Sequence, residues 1–89
     1  MVLVKRLVLD VLKPHVPNGL EFARAIAEQG EEYHVTFTVK EVDEKTESVV
    51  IVIEGLNIQF EAIENTIRSL GGSLHSVDEV EVVNQPEPE

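Results

Sequence analysis

The chain predicts a two-layer α+β sandwich, a four-stranded antiparallel sheet with two helices on one face. Four segments alternate apolar and polar residues with the period of two that a half-buried strand requires. Two others repeat apolar residues at the three-and-four spacing of a helix. Their order is β-α-β-β-α-β, in two similar halves of roughly 40 residues, which is the split βαβ or ferredoxin-like plan. Right-handed crossovers then put both helices on one side of the sheet and the first strand between the third and fourth.

Residues 3–12 read as the first strand. Leu3, Leu7, Leu9 and Val11 share the parity expected to face the core, and Val4, Arg6, Val8, Asp10 and Leu12 share the other. Pro14 and Pro17 end it. Asn18 caps a first helix, with Glu21 at the capping-box position, a stripe of Leu20, Ala23, Ile26 and Ala27, and Gly30 as a left-handed terminator. Residues 33–42 alternate with Tyr33, Val35, Phe37 and Val39 inward, and residues 47–54 follow with Val49, Ile51 and Ile53 inward. The polar turn Asp43-Glu44-Lys45-Thr46 joins them as a hairpin. Phe60, Ile63, Ile67 and Leu70 mark a second helix, with Gln59 as N-cap, Ile58 and Ile63 as a hydrophobic staple and Gly71-Gly72 as terminator. Residues 73–83 form the last strand. There Leu74, Val80 and Val82 share one parity and Val77 and Val83 the other, a conflict that a β-bulge near Ser76 to Asp78 resolves. Residues 1–83 thus make one domain, and 84–89 read as a disordered acidic Pro/Glu tail.

Composition removes whole classes of function. Seven Lys+Arg against 17 Asp+Glu give a formal charge of −10, which disfavours nucleic acids and anionic membranes. The absence of cysteine removes disulfides, thiolate metal sites and cysteine nucleophiles. The longest apolar run, Val49 to Ile53, is far short of a membrane span, and the first residues do not read as a targeting segment, so the expected location is cytoplasmic. A chain of 89 residues buries only about 60% of its unfolded surface, so self-association is a natural way to add buried area.

One sheet face is expected to lack helices, and Val8, Leu12, Val50 and Val52 fall on it beside Thr36, Thr38 and Arg6. Four aliphatic residues there predict a homo-oligomer interface. The common uses of this plan are mostly excluded. The first and third strands carry no aromatic residue on which RNA bases would stack. There is no Cys-x-x-Cys pair, and the Lys13 to Gly19 loop has no arginine for a phosphate. A small-molecule-sensing regulatory domain, its ligand at the first strand–helix loop beside Asp10 and Pro17-Asn18-Gly19, is the alternative reading.

Antiparallel pairing of the first and last strands puts Asp10 across from the window His75 to Asp78. A catalytic triad of His75, Ser76 and Asp78 is excluded, because neighbouring strand residues point to opposite faces. Asp10, Asp78 and Glu79, with His75 and His15 nearby, are instead candidate ligands for a divalent cation, calcium or magnesium if carboxylates dominate and manganese or zinc if histidine joins. The competing reading is hydrogen bonding of the carboxylates to Ser76 or backbone amides. His34 is expected to be solvated on an edge strand.

Two stretches, Arg6 to His15 (RLVLDVLKPH) and Gly71 to Val80 (GGSLHSVDEV), resemble the opening and closing signatures of a small archaeal family catalogued as a domain of unknown function. The resemblance spans nearly the whole chain. It implies a ferredoxin-like fold and symmetric homo-oligomers, and no established activity. Asp10, His15, His75 and Asp78 match its signatures without a catalytic role. The combined expectation is a non-enzymatic homo-oligomer that binds a divalent cation near Asp10 and Asp78.

Overall fold

The computed structural model describes residues 1–87. Six elements follow the predicted order: β1 (Val2–Pro14), α1 (Gly19–Ala27), β2 (His34–Val42), β3 (Thr46–Glu54), α2 (Phe60–Ser69) and β4 (Ser73–Asn84). The sheet is antiparallel in the order β2-β3-β1-β4, so β1 lies between β3 and β4 as expected for a ferredoxin-like sandwich.

The core is one cluster built from one parity of the strands and the inner stripes of both helices. Leu7, Leu9 and Val11 of β1 and Val49, Ile51 and Ile53 of β3 pack against Phe22, Ile26, Ile63 and Ile67, with Ile58 closing one end. The Phe22 and Phe37 rings meet at 6.0 Å with a 55° tilt. Each such side chain contributes about 1.5–3 kcal/mol by leaving water.

Local signals explain most element ends. The Asn18 side chain accepts from the Glu21 N–H at 2.9 Å, the predicted N-cap. α2 begins differently: Gln59 occupies the cap position without a side-chain bond, and its N–H donates to Tyr33 Oη at 2.8 Å. Ile58 and Ile63 are both buried in the core, as the staple requires. Gly71, at φ +87°, closes α2, and the Gly72 N–H returns to the Ile67 carbonyl at 2.9 Å.

Three expectations are corrected. The inner stripe of α1 runs through Phe22 and Ile26, while Leu20 is 60% exposed. Phe22 and Ile26 are one helical turn apart, and the much larger Phe22 takes the place in the core. Gly30 does not adopt a positive φ; Glu32 does, at 61°, and a side chain at Gly30 would collide with the Tyr33 ring. Leu3 is buried outside the main cluster, and Val4 packs against the cluster instead. The cause is a register slip at Lys5, between Val4↔Val82 and Arg6↔Glu81, which exchanges the faces of the strand beyond it.

The bulge expected in β4 occurs twice. Val8 pairs with Glu79 and Leu9 with Val77, so Asp78 is extra; Asp10 pairs with Ser76 and Val11 with Leu74, so His75 is extra. With these two insertions Leu74, Val77 and Val80 all lie opposite core residues of β1. β1, at 13 residues, reaches about 43 Å, whereas the helices span about 15 Å. The strands therefore overshoot the helical layer, and the molecule measures 52 × 22 × 17 Å. Pairing at that end includes Gln85, whose N–H donates to the Met1 carbonyl at 2.9 Å. Of the expected tail, Pro88 and Glu89 lie outside the described residues.

Candidate functional site

Three places along β1 are candidates for function, two with polar side chains and one wholly apolar. The first is the helix-free face. Val8 pairs with Val52 and Asp10 with Val50 across the β1–β3 ladder, and Leu12 pairs with Ser48. Val8, Val50 and Val52 are half-buried and Leu12 is 42% exposed. A shallow depression of about 480 Å³ lies on this face, lined by Asp10, Leu12, Lys40, Ser48, Val50 and His75 among others.

The predicted pairing of Asp10 with the His75–Asp78 window is present, with Ser76 as its direct partner. The five candidate cation ligands are nevertheless divided. Asp78 accepts from Ser76 Oγ at 2.7 Å, as the competing reading anticipated. Glu79 pairs with Arg6, which also reaches Glu54 at 3.2 Å. His15 lies at the end of β1 against Glu47, while His75 shares the depression with Asp10. Among the described residues no three His, Cys, Asp or Glu side chains form a group able to hold a metal ion. Two carboxylates satisfy only a fraction of the six to eight oxygens that calcium requires.

The second place is a cluster at the end of β1 that sequence reading missed. Lys13 continues the core parity of Leu7, Leu9 and Val11, and its side chain has no exposure to solvent. Nζ donates to the Pro14 carbonyl at 2.7 Å and reaches the His15 carbonyl at 3.4 Å and Glu47 Oε1 at 3.5 Å. It also lies 5.9 Å from the centroid of the Phe22 ring. Lys13 and Glu47 are direct cross-strand partners. Glu47 Oε2 lies 2.8 Å from His15 Nδ1, and His15 Nε2 lies 3.0 Å from the Glu44 carbonyl. The hydrogen bond to Glu47, then that to Glu44, raises the His15 pKa above its ordinary value. The same His15 bond, reinforced by Lys13, holds the Glu47 carboxyl below the usual range. A charged residue on an otherwise apolar parity was the available signal. Its partner lies 34 positions away and needed the register.

The third place is a wholly apolar groove of about 270 Å³ where β4 emerges from under α2, lined by Val4, Leu7, Phe60, Val77 and Val80. Val77, Val80 and Val82 are 41–53% exposed along this edge strand. No helix among the described residues is long and apolar enough to cross a membrane.

This architecture defines a small ferredoxin-like α+β protein whose polar residues are spread over two surfaces of one sheet. The chain belongs to the DUF211 family, described as an uncharacterized ArCR, whose model matches residues 5–85. It is 44% identical over 77 residues to the uncharacterized protein MJ0319 of Methanocaldococcus jannaschii, covering 86% of this chain and 79% of that one. The family of unknown function that the two signatures resemble is thus the family of this protein, and it brings no activity to any residue.

Proposed function

We propose that this protein is a non-enzymatic, self-associating module that assembles through the helix-free face of its sheet. The observation that carries the reading is the aliphatic row Val8, Val50, Val52 and Leu12, which no helix or strand among the described residues covers. Stacked sheets bury such rows at about 10 Å separation. Arg6 with Glu54 and Glu79 lies beyond Val8 and Lys40 lies toward Leu12, while Asp10 stands within the row, between Val8 and Leu12 and opposite Val50. Apart from Asp10, the row is an apolar centre with a polar rim, the usual anatomy of an interface.

Sedimentation of the Val8→Lys/Val52→Lys variant tests this. The wild type is expected to sediment as an oligomer and the variant as a folded monomer. Unchanged assembly of the variant, or a monomeric wild type, removes the proposal. Val77→Lys/Val80→Lys addresses the apolar groove in the same assay, and dissociation by that pair alone moves the interface to the edge of β4.

A divalent cation enters this reading as a guest of the assembled face. Asp10 and Asp78 supply two carboxylates, and the remaining oxygens come from a neighbouring copy or water. Calcium or magnesium is then expected to raise the melting temperature, and EDTA to reverse it. No shift, or the same shift in Asp10→Asn/Asp78→Asn, discards the cation and leaves assembly standing. The alternative of a small ligand beside the first strand–helix loop is weakened by contacts within the chain. Lys13 and His15 are already engaged with backbone carbonyls and Glu47.

A further inference from the structure

The environment of His15 determines its charge state from geometry. Nδ1 faces Glu47 Oε2 at 2.8 Å and Nε2 faces the Glu44 carbonyl oxygen at 3.0 Å. A carboxylate and a carbonyl only accept hydrogen bonds, so both ring nitrogens must donate. Only the imidazolium carries two N–H groups; the neutral ring carries one. Removal of either proton points a nitrogen lone pair at an oxygen and turns one of the two bonds repulsive.

The two bonds join separate parts of the chain. His15 begins the loop between β1 and α1, Glu44 lies in the turn between β2 and β3, and Glu47 is on β3. The charged groups around the ring are Glu47 on β3, with Lys13 on β1 behind it, and Asp43 and Glu44 of the turn, which act through their backbone carbonyls. The His15 side chain is 40% exposed and exchanges protons with water, whereas Lys13 beneath it is enclosed.

We propose that His15 is a proton-operated clamp that fastens the first strand–helix loop to the β2–β3 turn when protonated and releases it when neutral. Lys13 anchors the loop from below in both states through the Pro14 carbonyl. Opening therefore frees the turn and the outer part of the loop without unfolding the sheet. The clamp is independent of self-association, since it uses none of the aliphatic residues of the helix-free face.

The sign of the pH dependence follows from the two partners. The folded-state pKa of His15 is raised, so its contribution is complete below the unfolded value of about 6.5 and disappears as pH climbs through the higher folded value. Glu47 is lowered, so its contribution is present above the ordinary carboxylate value and disappears as pH falls through the lower folded one. The clamp is closed between those limits.

Nitrogen-15 NMR of the His15 ring, with hydrogen exchange followed across pH 5 to 9, tests the proposal on the wild-type chain. Two protonated ring nitrogens are expected at neutral pH, with a midpoint above about 6.5. After correction for intrinsic exchange chemistry, amides of the turn, residues 43–45, should lose protection several-fold through the same midpoint, while those of β3 keep theirs. In Glu47→Gln the midpoint should fall, and in His15→Gln the pH-dependent loss of protection should vanish. A midpoint at or below the ordinary value, or turn protection indifferent to the titration of His15, overturns the clamp.

Discussion

Two groups of a cation with carboxylates stand on β1, one near its middle and one at its end, and they differ in almost everything but their chemistry. Arg6 lies between Glu54 of β3 and Glu79 of β4 on the helix-free face, with the three side chains 34–54% exposed. Lys13 faces Glu47 of β3 from the core side, with no exposure of its own and 17% for Glu47. Water solvates every member of the first group, so little changes when one is removed. It has no access to the Lys13 ammonium, which depends on two carbonyls, one carboxylate and the Phe22 ring. Position along one strand, set by parity, decides which ion pair is ornamental and which holds a loop in place.

The contrast predicts a graded series. Lys13→Ala should cost the most, about 3 kcal/mol in denaturant unfolding, because it opens a hole beside Phe22 and strips Glu47 of its buried partner. Lys13→Met keeps the volume of the stem and should lose visibly less; equal losses would show that packing of the stem contributes nothing. Glu47→Gln should come next, since it withdraws a negative charge from both Lys13 and His15, and it should lower the unfolding midpoint more than Glu79→Gln does. Raising pH from about 6 to 9 should then give a smaller decline in wild-type stability that His15→Gln lacks. A decline of equal size in both chains would assign it to other groups. Arg6→Gln should move the midpoint least. A loss as large as that of Lys13→Ala would break the comparison outright.

Much of this architecture was readable one residue at a time. Val49, Ile51 and Ile53 alternate without interruption, and all three are buried. The parity conflict among Leu74, Val77 and Val80 announced an irregular β4, and two bulges, at His75 and Asp78, resolve it. The inner face of α1 was misread because Ala23, Ile26 and Ala27 fit a stripe with Leu20 as well as one with Phe22, and only the space above the sheet selects between them. The same limit applies to the site. Asp10 could be matched to Ser76 within a few residues, because both strands and their directions were evident. The extra residues then sent Glu79 to Arg6 and left Asp78 with Ser76, dividing the expected ligand set.

Which residues face inward follows from periodicity, a property of neighbours along the chain, and so the element order, the helix-bearing face and the aliphatic row on the other face were inherent in the order of amino acids. Which residues meet across strands follows from register, and register depends on turns and bulges that shift distant partners by whole residues. Lys13 and Glu47 became a buried pair, and His15 a bridge to Glu44, only when the β1–β3 ladder and the β2–β3 turn closed around them. Local alternation specifies a face at short range, whereas a contact between positions 15 and 47 is a long-range consequence of the whole sheet.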